Sequence, residues 1–191
     1  MLRFILAFCL FTTLCAGAEE KAMVRIGQKV PNFALTNQNG KTEELKNFSG
    51  KVVLITFLYT QCPYPEKCPM LAEKLGKTRD ILDTIEGGKG KFQVLSITLD
   101  PKKDTPEHLK KYAQGNDRNA SNWSFLTGKP NDVAKVAALF GMMYWTEKGG
   151  VIEHNMRTAV VDQSGKLVKI FTGNDWKPGE LAAFIRDLLQ K

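Results

Sequence analysis

The sequence predicts an α/β domain, a central mixed sheet flanked by helices with a β-hairpin on its N-terminal side. Three observations predict it. Val52–Leu58 and residues 92–99 are apolar runs of strand length bounded by turn signals, as buried central strands are. Segments opened by Pro69 and Pro178 carry apolar residues at helical spacing, Pro106 opens a further, mostly polar helix, and proline suits the first turn of a helix. Near the end, residues 158–162, the turn Gln163-Ser164-Gly165 and residues 166–171 read as a hairpin. The chain has 191 residues and is 43% hydrophobic, which favours one domain with a real core.

At the N-terminus, Arg3 precedes an apolar stretch over residues 4–14, and Ala16-Gly17-Ala18 fits an A-x-A cleavage site. This is the layout of a secretory signal peptide over residues 1–18, leaving 19–191 as the single domain. The apolar stretch is short for a membrane span, which needs about 20 residues, so an uncleaved anchor is the weaker reading. Leu14 stands where a lipid-attachment signal at Cys15 wants a small residue. A periplasmic or otherwise exported location is expected. Cleavage removes Cys9 and Cys15 and leaves Cys62 and Cys68 in a disulfide-permissive compartment. Formal charge is +7, about +6 after cleavage, carried by scattered lysines. No dense basic block with interleaved aromatics is present, so nucleic acid is not an expected partner. A basic solvated surface remains, one able to meet acidic partners near a membrane.

Residues 31–36 alternate, and Asn39-Gly40 is a strong hairpin signal; this hairpin reads as an extension without chemistry. After the first core strand comes Cys62-Pro63-Tyr64-Pro65-Glu66-Lys67-Cys68-Pro69, a C-x5-C loop stiffened by prolines. Cys68 falls at the start of a helix whose apolar face is Leu71, Leu75, Ile81 and Leu82. There the helix dipole favours thiolate, the form that binds metal or attacks a disulfide. A static Cys62–Cys68 disulfide is the bland alternative. Residues 86–91 lack the full P-loop spacing and read as a helix stop. Asp100, at the carboxyl end of the second core strand, is either a turn residue or a support for a nearby site. Thr105 reads as a helix cap, and His108 as solvent-facing. Residues 123–128 read as a short strand and turn, and residues 131–140 as a packing helix.

Residues 141–150 read as a loop or irregular hairpin. His154 precedes the next strand. In a thioredoxin-like order of elements, which this is, the segment entering that strand faces the cysteine loop. Two cysteines and one histidine make a set that suits Cu(I), and Cu(II) with a further ligand. A structural zinc site normally wants four protein ligands. Met70, Met142, Met143 and Met156 are weaker candidate ligands and read first as packing residues. No proline lies between Pro130 and Pro178, so the proline that thiol–disulfide enzymes of thioredoxin type place before this strand is missing.

Thr60-Gln61-Cys62-Pro63, Cys68-Pro69, the run Leu99-Asp100-Pro101-Lys102-Lys103-Asp104-Thr105-Pro106, the segment 123–128 and the segment 154–165 together resemble the SCO/SenC family of copper chaperones, over about residues 30–190. The resemblance implies a thioredoxin-like domain that binds copper through Cys62, Cys68 and His154 and helps metallate the CuA centre of cytochrome c oxidase. Thiol reduction of that oxidase subunit is the competing role. Two features depart from the family pattern. The cysteines are spaced C-x5-C rather than C-x3-C, and Asn155 follows the histidine where Ser or Thr is common.

Two functions of different class follow. The first is an exported metallochaperone that holds copper and passes it by ligand exchange to a CuA-bearing oxidase subunit or another cuproprotein, which is binding rather than turnover. The second is a thiol–disulfide oxidoreductase using Cys62 and Cys68, recycled by thiol reductants of the same compartment. A peroxidase is disfavoured, because Thr60 stands too close to Cys62 and the expected proline is absent.

Overall fold

The computed structural model describes residues 23–190 apart from 116, 117 and 119. The expected signal peptide lies outside the described residues. Nine strands and four α-helices follow in chain order: β1 (Ala34–Asn37), β2 (Thr42–Glu44), β3 (Val52–Leu58), α1 (Cys68–Thr84), β4 (Phe92–Thr98), α2 (Pro106–Gly115), β5 (Trp123–Thr127), α3 (Pro130–Leu139), β6 (Tyr144–Thr146), β7 (Ile152–His154), β8 (Arg157–Val161), β9 (Leu167–Thr172) and α4 (Pro178–Leu189).

Seven strands form one mixed sheet in the order β2-β1-β5-β4-β3-β8-β9. The centre is parallel, with β3 beside β4 and β4 beside β5, while β8 runs antiparallel to β3. Central strands are covered on both faces, and every residue of β3 and β4 is buried. The N-terminal hairpin is more than an extension, because β1 pairs antiparallel with β5 and so lengthens the main sheet. The turn between β1 and β2 works because Gly40 adopts φ +74°, which costs glycine nothing.

Helix α1 buries Leu71, Ala72, Leu75, Thr78 and Leu82, spaced three or four apart, against the sheet and α4. Ile81 departs from expectation and is exposed, since it falls off that stripe. Gly141 ends α3 at φ +66°, where a Cβ would run into the side chains of Met23 and Arg157. The chain then turns into β6, which pairs with β7 as a separate two-stranded ribbon. Among the described residues no helix is long and apolar enough to cross a membrane.

This topology brings three things to one end of the sheet. The carboxyl end of β3 runs into the cysteine loop, the carboxyl end of β4 runs into residues 99–105, and β7 ends on His154 just before β8 returns alongside β3. Open α/β sheets place ligands at that end.

Candidate metal and thiol centre

Strand β3 delivers Tyr59, Thr60 and then the loop. Tyr59 is buried, and its hydroxyl accepts the backbone N–H of Ile152 at 3.3 Å, so the β6–β7 ribbon is tied to the end of β3. Its ring lies 6.2 Å from the His154 ring at 76°, an edge-on contact. The loop is folded on itself, with Lys67 N–H donating to Tyr64 O at 3.0 Å and Met70 N–H to Pro65 O at 3.1 Å. These turns absorb the length of the C-x5-C spacing and return the chain to α1 at Cys68.

Both thiols are free. Cys68 is buried and faces His154 Nε2 at 3.5 Å from its sulfur. Cys62 is half-buried, and its thiol lies 3.8 Å from Tyr64 O. The two sulfurs interact, and this sorts their charge states. The Cys68 thiol donates to Cys62, which brings the Cys62 pKa down to about 5 against a smaller opposing effect of burial. The same hydrogen bond, then burial, pushes Cys68 up. The favoured thiolate is therefore Cys62, not the helix-terminal Cys68 that the dipole argument selects. Loss of solvent and one hydrogen bond outweigh the dipole here.

His154 is only 7% exposed, and burial lowers its pKa. Its Nδ1 lies 2.7 Å from the carbonyl oxygen of Asn155, so Nδ1 carries the proton and donates. That assignment leaves the Nε2 lone pair directed at Cys68. Asn155 also braces the ribbon. Its side chain accepts from Met143 N–H at 3.0 Å and donates to Gly141 O at 3.0 Å. A serine or threonine would lack this two-ended amide.

A clasp joins the loop to the ribbon. Lys67 Nζ pairs with Glu153 at 2.8 Å, and the ammonium stands 4.2 Å from the Tyr64 ring centre. Tyr64 also hydrogen-bonds Glu153. On the other flank, Asn174 Nδ2 donates to Glu66 O at 3.0 Å.

The structure thus brings Cys62, Cys68 and His154 to one place. They supply two soft sulfurs and one imidazole lone pair, a donor set suited to copper or zinc. The set is not closed: among the described residues no three His, Cys, Asp or Glu side chains are grouped so as to hold an ion. Of the four candidate methionines two have packing roles. Met142 is in the core, Met156 packs against it, and Met70 and Met143 are exposed. Asp100 is a turn residue, its carboxylate 3.6 Å from Lys103 Nζ and its carbonyl accepting from Lys103 and Asp104 N–H.

Three participants were not read from the sequence. Tyr59 is one. Asp104 is another, buried beneath the loop. His108 is the third: half-buried rather than solvent-facing, with Nε2 3.4 Å from Thr60 Oγ1 and Nδ1 3.2 Å from Lys103 O. The D-T-P string at residues 104–106 marked a helix start, but nothing local said that Asp104 would turn away from that helix.

A sheet with a parallel centre, two thiols leaving a central strand and an imidazole entering its antiparallel neighbour define a thioredoxin-like protein with a cysteine–histidine centre. The chain belongs to the SCO1/SenC family, whose model matches residues 23–190. An SCO2-like protein of Rickettsia typhi is 30% identical over 173 residues, covering 87% of this chain and 79% of that protein. The solved structure of Bradyrhizobium japonicum ScoI with copper bound is 28% identical, with a TM-score of 0.71, over 84% of this chain and 99% of that one. The structure of BsSco, described as having a disulfide switch and as a member of the Sco family of cytochrome c oxidase assembly proteins, is 26% identical with a TM-score of 0.68, over 85% of this chain and 94% of that one.

Proposed function

We propose that this chain is an exported copper-binding metallochaperone. Cys62 and Cys68 hold the ion as thiolates and His154 holds it through Nε2. The recipient is a CuA-bearing subunit of cytochrome c oxidase or another extracytoplasmic cuproprotein. The observation that carries the reading is the neutral His154, held by Asn155 O so that its free lone pair faces Cys68 at 3.5 Å. A hydrogen bond from the other ring nitrogen that fixes tautomer and aim is the usual support for a ligating histidine. The copper-bound ScoI of B. japonicum, similar over nearly its whole length, supports the choice of metal. Closing the set takes a movement of Cys62, the half-buried member on the loop. Transfer proceeds by ligand exchange: a partner's sulfur or imidazole replaces one ligand of the chain at a time.

The test is a titration of the reduced chain with Cu(I) against a competing chelator, beside His154→Ala. One tight equivalent, weakened tenfold or more in the variant, is expected. Binding that is absent, or indifferent to His154, would sink the proposal.

A specific observation favours a second reading, thiol–disulfide exchange. Cys62 is the accessible thiol with the depressed pKa, and Cys68 is the buried neighbour. In that reading the Cys62 thiolate attacks a partner disulfide, forming a mixed disulfide and releasing one partner thiolate. Cys68 loses its proton and attacks the Cys62 sulfur. This forms the Cys62–Cys68 disulfide and frees the second partner thiol. The partner gains two electrons, and a thiol reductant of the compartment restores the pair. The disulfide switch described for BsSco supports it. Mixed-disulfide trapping by Cys68→Ser, but not by Cys62→Ser, is the expected result.

A further inference from the structure

Asp104 is 1% exposed and sits one residue before the start of the segment Thr105–Pro106 that opens α2. The residue directly before the first helical one ordinarily caps a helix. Here Thr105 takes that task, its Oγ1 accepting His108 N–H at 3.3 Å. Asp104 turns the other way. Its Oδ2 accepts Thr60 N–H at 3.1 Å and the Thr98 hydroxyl at 2.5 Å, and its Oδ1 accepts the Thr60 hydroxyl at 2.5 Å. Among the described residues no lysine or arginine pairs with it, so three hydrogen bonds are what hold this buried acid. Thr98 Oγ1 in turn accepts Asp100 N–H at 2.9 Å. The Thr60 hydroxyl proton is spent on Asp104, and His108 Nε2 stands 3.4 Å from Thr60 Oγ1.

These bonds tie together the carboxyl ends of the two parallel central strands and the entry to α2. Thr60 is held twice, by main chain and by side chain, and it is the last fixed point before Cys62. Past it Cys62 N–H is held by a long hydrogen bond, to Tyr59 O at 3.4 Å.

The geometry points to Asp104 as the positioning residue of the cysteine loop: through Thr60 it sets where the Cys62 sulfur stands relative to Cys68 and His154. It touches neither metal nor substrate. A carboxylate is suited to this, because it is acceptor-only and all three of its partners are donors. Asparagine keeps the shape but replaces one acceptor oxygen with a donor group, and so sets N–H against Thr60 or Thr98.

The test uses the full mature chain, reduced, with three variants, Asp104→Asn, Thr60→Val and Thr60→Ser, beside the parent. Two readouts are taken on samples whose unfolding transitions show them folded. The first, on metal-free protein, is the alkylation rate of Cys62 at neutral pH, located by peptide mapping. The rate is expected to fall at least about fivefold in Asp104→Asn and Thr60→Val, as the sulfur leaves the Cys68 hydrogen bond, and to stay near the parent in Thr60→Ser. The second is Cu(I) affinity, expected to fall about 10–100-fold in the same two variants and to be kept by Thr60→Ser. This copper arm rests on the copper reading above; the alkylation arm does not. A parent that binds no copper but shows the alkylation pattern would end that reading and leave this inference standing. Folded Asp104→Asn with both readouts within about twofold of the parent would reduce Asp104 to a fold anchor and overturn the inference. If Asp104→Asn does not fold, the Thr60 pair decides, and equal behaviour of Val and Ser at that position overturns it.

Discussion

The two ends of the central sheet are built differently. At the end where β3 begins, a cavity of about 190 Å3 opens between Val30, Leu45, Phe48, Val53, Val161 and Gln163, and its lining holds no cysteine or histidine. At the end where β3 finishes, the thiols and the imidazole sit on packed structure, with Cys68 and His154 buried and Cys62 at the boundary with solvent. That cavity lacks the chemistry. Small-molecule sites are usually concave, apolar pockets. A centre that exchanges an ion or a disulfide with another protein has the opposite need: donors fixed from behind and reachable from in front.

The first way to break this contrast is to damage the far end. Phe92, fully buried at the start of β4, stands opposite Val52. Phe92→Ala should cost about 3–5 kcal/mol in denaturant unfolding. Cys62 alkylation in the folded state should nonetheless match the parent. A site that weakened in step with stability would mean the two ends are not separable.

The next effect lies within the near end. The pH dependence of Cys62 alkylation should be half-maximal at about 5. In Cys68→Ala it should move up toward the ordinary thiol value of about 8.5, because the donor that stabilises the thiolate is gone. An unmoved profile would show that Cys68 is not the cause.

His154 gives a smaller effect on stability. Burial lowers its folded-state pKa from 6.5, so below that value the unfolded chain binds the proton first. Stability from this group is complete above about pH 6.5 and declines as pH falls toward the folded-state value. His154→Gln should flatten that part of the stability–pH curve relative to the parent, with the cysteine contributions common to both. Parallel curves would contradict the buried neutral imidazole.

The smallest effect belongs to the clasp. Glu153→Gln or Lys67→Met removes a partly exposed ion pair, and the copper dissociation rate should rise by less than about fivefold. A much larger change would make the clasp a structural requirement of the long loop.

Most of the frame was legible in the sequence because it depends on local pattern. The apolar run of β3, the prolines opening α1, α2 and α4 and the Asn39-Gly40 turn each announce themselves over a few residues. Cys62, Cys68 and His154 were legible as residue types, and the order of elements said that they would meet. Other features were not legible, for a common reason. The bonds from Asp104 to Thr60 span 44 residues, and the one from Ile152 to Tyr59 spans 93. Such partners leave no periodic trace. The β6–β7 ribbon was ambiguous because β6 has three residues and exposes Trp145, so burial does not mark it. The assignment of thiolate to Cys68 erred because a helix-dipole argument uses position in the chain, while burial and the sulfur–sulfur hydrogen bond are properties of the folded site.

The unequal depth of the two sulfurs gives the centre a front and a back. Anything arriving from solvent, an ion or an electrophile, meets Cys62 before it meets Cys68 or His154. By microscopic reversibility a departing species leaves Cys62 last on the same route. On the proposed function, exchange at this centre would be single-file, with the half-buried cysteine as its door.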